Sequence, residues 1–95
     1  SDMGSAVKLC TEGIVRYTGP KTIHIERMED ELTVRFRVGA VQKNCYVSAY
    51  FDEERVIKKR RPVVAPGEME EVKLKKEMLL KYPDLKKITF KVEEA

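Results

Sequence analysis

The sequence predicts an all-β domain with one short helix, arranged as an antiparallel immunoglobulin-like β-sandwich of about seven strands. Three observations predict it. Several segments alternate strictly between apolar and polar residues, turn residues separate them at short intervals, and 95 residues suffice for one compact core. Alternation with period two marks a strand with one buried and one wet face. Half-buried alternation in nearly every strand argues for antiparallel pairing, since parallel strands are covered on both faces. An isolated sheet would leave its apolar face in water, so two sheets must face each other. The chain has no Trp, so the Cys–Trp–Cys hallmark of true immunoglobulin domains is absent.

Residues 14–18 read as a first strand, and Gly19-Pro20 as a turn. A second strand over 22–27 points Ile23 and Ile25 inward. The clearest signal is 31–38, where Leu32, Val34, Phe36 and Val38 alternate with Glu31, Thr33, Arg35 and Arg37. Residues 44–51 repeat it, with Cys45, Val47, Ala49 and Phe51 on one face and Tyr46, Ser48 and Tyr50 on the other. The link over 39–43 is short enough to join antiparallel neighbours. Asp52-Glu53-Glu54 is a turn and Arg55 to Lys58 a strand, which makes 44–59 a hairpin. Pro62 interrupts, so Val63-Val64 is an edge strand or a crossing connection. After the Pro66-Gly67 turn, 69–74 points Val72 and Leu74 inward. Helix formers fill 75–81, with Leu74, Met78 and Leu79 on roughly one face, and Pro83 closes that segment. Residues 86–93 form the last strand, with Ile88, Phe90 and Val92 inward. The fold around Cys10 is not legible from the pattern.

The charged fraction is 37%, above the usual value of about 25%, and this excess must be on the surface. The net charge is +3 with acids and bases interspersed, whereas nucleic-acid binders usually carry a larger, clustered excess. The dense run Lys58-Lys59-Arg60-Arg61 reads as a solvated strand end or turn. No apolar run approaches the roughly 18 residues of a membrane span, and no signal-peptide core is present. A cytoplasmic location with no membrane partner is therefore expected, with reduced thiols at Cys10 and Cys45. Ser1-Asp2-Met3-Gly4-Ser5 reads as a cloning scar, leaving one β-sandwich domain over 6–95.

The side chains suggest no catalytic, cofactor-binding or metal site. His24, the only histidine, points outward from its strand between Ile23 and Ile25. Zinc needs about four ligands, and the two cysteines lack a CxxC spacing. Cys45 falls on an apolar face, where a thiol behaves as a small hydrophobe. None of the glycines builds a phosphate-cradling loop, and the acidic clusters at Glu29-Asp30-Glu31 and Asp52-Glu53-Glu54 match no calcium loop. Tyr46 and Tyr50, with Arg35 and Arg37, are the candidate interaction surface. Such residues on one sheet face stabilise cross-strand neighbours, clamp single-stranded nucleic acid, or lie under another domain. Of these, nucleic acid is the less expected partner.

Three stretches carry a family resemblance: CTEGIVRYTGP from Cys10 to Pro20, LTVRFRV from Leu32 to Val38, and APGEMEEVKL from Ala65 to Leu74. Together they resemble the small C-terminal β domain that follows the FAD- and NAD(P)H-binding domains of some bacterial pyridine-nucleotide-disulfide-type flavoproteins, enzymes of NADH oxidase type. The resemblance implies the C-terminal piece of a longer chain. It implies a non-catalytic accessory role, packing on upstream flavoprotein domains or a sister subunit. FAD and NAD(P)H would be held by the parent protein, none of it on this segment. No functional residue of the family carries over to a position here. The alternatives are a freestanding immunoglobulin-like protein-binding module and a small basic nucleic-acid-binding domain.

Overall fold

The computed structural model describes residues 6–95, so the segment read as a scar lies outside the described residues. Eight strands form: β1 (Ala6–Thr11), β2 (Val15–Arg16), β3 (Thr22–His24), β4 (Glu31–Val38), β5 (Gln42–Phe51), β6 (Glu54–Val64), β7 (Glu70–Lys75) and β8 (Lys87–Glu94). A single-turn helix, α1 (Lys76–Leu79), lies between β7 and β8. The protein is mostly β, in two sheets: a five-stranded one ordered β3-β1-β8-β5-β6 and a three-stranded one ordered β2-β4-β7.

The alternation decides which face each strand buries. Val34, Phe36 and Val38 from β4 and Val72 and Leu74 from β7 meet Cys45, Val47, Ala49 and Phe51 from β5 and Ile88 and Phe90 from β8. The rings of Phe36 and Phe90 join the two sheets, with centroids 6.2 Å apart. Leu79 from α1 and Leu85 from the following loop close one end of this core. There Tyr82 stands edge-on to Phe51, at 5.1 Å between centroids.

Several expectations need correction. The unread segment around Cys10 is a strand, and β1 lies parallel to β8, the only parallel pairing among the described residues. Val7 and Leu9 alternate inward on it, but β1 is too near the N-terminus for a flanking pattern to show. The link over 39–43 does not join antiparallel neighbours, because β4 and β5 belong to different sheets. A short link carries the chain from one sheet to the other as readily as round a hairpin. The strand expected over 22–27 stops at His24 and continues as a 3-10 turn over Ile25–Arg27, which still buries Ile25. Pro62 does not end a strand: β6 runs through it to Val64. Strand β6 is an edge, so a missing N–H there leaves no central ladder broken. Lys43 pairs with Val63 and Cys45 with Arg61, which sets Pro62 opposite Asn44. Asn44 adopts a left-handed φ of 51°, which Asn tolerates better than most residues.

Candidate interaction surface

The pairing registers arrange the outer face of the five-stranded sheet in rows. Tyr46 of β5 lies between Glu93 of β8 and Arg60 of β6. Ser48 lies between Lys91 and Lys58, and Tyr50 between Thr89 and Arg55. Further out, Cys10 of β1 lies opposite Thr89, and Lys8 opposite Lys87.

One irregularity completes the face. Ala49 pairs with Ile57, but Tyr50 pairs with Arg55, so Val56 is an extra residue in β6. Strict alternation would put Arg55 on the inner face with Ile57. The bulge returns it to the outer face, as bulges do when they re-aim a side chain. Arg55 then donates from Nη1 to Glu93 Oε1 at 3.0 Å.

Glu93 is the centre of this network. Ser48 Oγ donates to Oε1 at 2.8 Å, and Tyr50 Oη donates to Oε2 at 2.6 Å. Burial works to raise the Glu93 pKa, but the hydrogen bonds from Tyr50, Ser48 and Arg55 outweigh it and hold the carboxyl below the usual glutamate range. The same bond to Glu93, with burial, pushes the Tyr50 phenol above its ordinary value. Ser48 is fully buried though it faces outward, because these side chains close over it. Both tyrosine rings carry a lysine. Lys58 Nζ is 4.7 Å from the Tyr46 centroid and Lys91 Nζ is 4.5 Å from that of Tyr50. Lys91 also reaches Glu12 at 3.4 Å and Glu93 at 3.9 Å. Burial would lower the Lys91 pKa, yet the bond to Glu12 and the charges around it carry it above the ordinary lysine value.

Of the four residues singled out in the sequence, the structure joins two. Tyr46 and Tyr50 share the face just described. Arg35 and Arg37 are on β4, in the outer face of the other sheet. There Arg35 Nε pairs with Glu71 Oε2 at 3.0 Å. The basic run is split by the same alternation. Lys58 and Arg60 stand on the tyrosine face, whereas Lys59 and Arg61 turn toward β7.

His24 is half-buried on the short edge strand β3, opposite Ala6. Both thiols are free. Cys45 is buried, and its pKa is raised by burial and by the charge of Glu70. Glu70 was not foreseen as a core residue, although it alternates in register with Val72 and Leu74 and is only 3% exposed. Its Oε1 is 3.1 Å from Arg61 Nε without the alignment of a hydrogen bond, and its Oε2 has no partner. Among the described residues no three His, Cys, Asp or Glu side chains gather as a metal site. A depression of about 590 Å³ lies at the α1 end between Asp30, Glu31, Lys75, Lys76, Glu77 and Leu80. It is wide open, away from the tyrosines, and rimmed by charges of both signs. No helix of the described residues is long and apolar enough to cross a membrane.

No family model matches this chain, and neither a curated protein nor a solved structure does.

Proposed function

We propose that this is a non-catalytic accessory domain that works by packing against protein through the outer face of its five-stranded sheet. The observation that carries this is the Tyr46–Tyr50 pair on the interior strand β5, with Tyr50 held by Glu93 and both rings flanked by basic side chains. Tyr and Arg are the residue types that protein interfaces favour, and a sheet interior holds them more rigidly than a loop would. The partner follows from the sequence resemblance: the FAD- and NAD(P)H-binding domains of a pyridine-nucleotide-disulfide-type oxidoreductase, or a sister subunit, in the cytoplasm. The chemistry and its cofactors belong to that body. At the level of fold, an immunoglobulin-like sandwich is the arrangement we favour, with β1 beside β8 as a departure from it.

Lys58→Cys, placed in a Cys10→Ser background, turns this into a measurement. Thiol labelling is compared between the domain alone and the whole polypeptide its gene encodes. Position 58 should label rapidly in the domain and at least tenfold more slowly in the whole polypeptide, which should also bind FAD. Equal labelling rates, or a whole polypeptide without flavin, would overturn the accessory reading.

A further inference from the structure

We infer that the outer face of the five-stranded sheet docks an acidic protein surface, whose carboxylates meet amines and guanidinium groups already held in place. The inference rests on the proposal that protein covers this face, and it names the chemistry of what covers it. Lys8, Arg55, Lys58, Arg60, Lys87 and Lys91 project from this face; Glu93 is the one carboxylate within its rows, and Glu12, Asp52 and Glu53 stand at its Tyr50–Lys91 end. Glu93 is already engaged by Ser48, Tyr50 and Arg55. Among the described residues Lys8, Lys58, Arg60 and Lys87 form no ion pair, whereas Lys91 pairs with Glu12 at the rim and lies 3.9 Å from Glu93.

The tyrosines decide between two polyanions. A nucleic-acid platform needs ring faces open to bases. Here each ring already carries an ammonium group, at 4.7 Å on Tyr46 and 4.5 Å on Tyr50. The Tyr50 hydroxyl is tied to Glu93 at 2.6 Å, which fixes that ring beneath Lys91. The rings therefore act as rests for lysines. A lysine held against a ring loses less rotamer freedom when a carboxylate arrives, which favours docking on the pre-arranged cations. Opposite charge across the gap also speeds encounter and makes it sensitive to salt.

The test is a titration of the isotopically labelled domain with a glutamate oligomer of about ten residues, followed by amide shifts at about 50 and about 200 mM salt. A thymidine oligonucleotide of equal charge is titrated beside it. Shifts should cluster on the rows of β5, β6 and β8 and fade at the higher salt. Lys58→Glu with Arg60→Glu should weaken the glutamate oligomer at least tenfold. Lys58→Gln with Arg60→Gln should weaken it less, in case the reversal perturbs folding. Arg35→Glu with Arg37→Glu, on the opposite face, should leave it within twofold. Shifts spread over both faces, no binding at low salt, or equal loss in the Arg35/Arg37 variant would overturn the inference. So would tighter binding of the oligonucleotide with upfield shifts of the Tyr46 and Tyr50 ring protons, which would assign the face to nucleic acid. The labelling experiment at position 58 is independent of these results. A protected face that ignores the glutamate oligomer sinks the acidic partner and leaves the accessory role standing.

Discussion

The two sheets present outer faces built from similar residues and wired in opposite ways. On the three-stranded sheet, register sets acids against bases: Glu31 lies opposite Lys75, and Arg35 opposite Glu71. Arg16 and Arg37 do face each other, but the Arg16 guanidinium turns back to the carbonyls of Gly13 and Val15, at 2.9 and 3.2 Å. Among the described residues Arg35–Glu71 is the ion pair that forms across that face, where Arg16, Arg37 and Lys73 have no acid opposite. On the five-stranded sheet Arg60 and Arg55 lie opposite tyrosines, Lys58 and Lys91 opposite Ser48 and Lys8 opposite Lys87, and one acid collects three hydrogen bonds. Placement by register, rather than the number of charges, sets lysines over tyrosine rings on one face and acids against bases on the other.

The comparison assumes one core behind both faces, and the largest effects should come from breaking it. Phe36→Ala from the three-stranded side and Phe90→Ala from the five-stranded side each empty part of the contact between sheets. Each should cost about 3–5 kcal/mol. At this chain length that corresponds to a fall in Tm on the order of 12 to 40 °C, measured by thermal unfolding. A large loss at one phenylalanine and none at the other would mean that the sheets do not share their core.

Next in size is Glu93→Ala. It leaves the fully buried Ser48 hydroxyl without its acceptor and releases Tyr50 and Arg55. An unsatisfied buried polar group costs about 1–3 kcal/mol, so the urea midpoint should drop measurably. Glu93→Gln keeps one acceptor and should recover part of the loss. The same carboxylate gives an acid limb. Its folded pKa is depressed, so its stabilisation is present above the unfolded value of about 4.3 and lost as pH falls through the folded one. Below about pH 4.3 the wild-type midpoint should fall more steeply than that of Glu93→Gln. Parallel curves would deny Glu93 its central place.

The parts of this face differ in how legible they were. The inner faces of β4 and β5 could be read because burial imposes a period of two on a single strand. Tyr46 and Tyr50 were legible as a pair for the same reason. Arg35 and Arg37 were wrongly joined to them, because which sheet a strand enters depends on the partner it finds. Glu93 carried no local signal at all: it matters through Ser48, Tyr50 and Arg55, some 38 to 45 residues away. Arg55 was equally hidden, since the bulge at Val56 that turns it outward exists only relative to β5. Glu70 could have been found by extending the alternation of Val72 and Leu74 back by two positions, but its charge argued against burial.

The smallest effect should come from the exposed pair that stands for the other face. Arg35 holds the Glu71 carboxyl below the usual glutamate range through a hydrogen bond and its charge. Both side chains are substantially exposed, at 58% and 42%. Water and salt screen such a pair, and ordering two long side chains offsets much of its attraction. Glu71→Gln should therefore leave the urea midpoint unmoved within error at physiological salt, with any difference appearing only at low ionic strength. A drop as large as that of Glu93→Gln would show that the three-stranded face depends on its ion pairs as the five-stranded face depends on Glu93. The contrast between a face with one exposed ion pair and a face wired through Glu93 would then be lost.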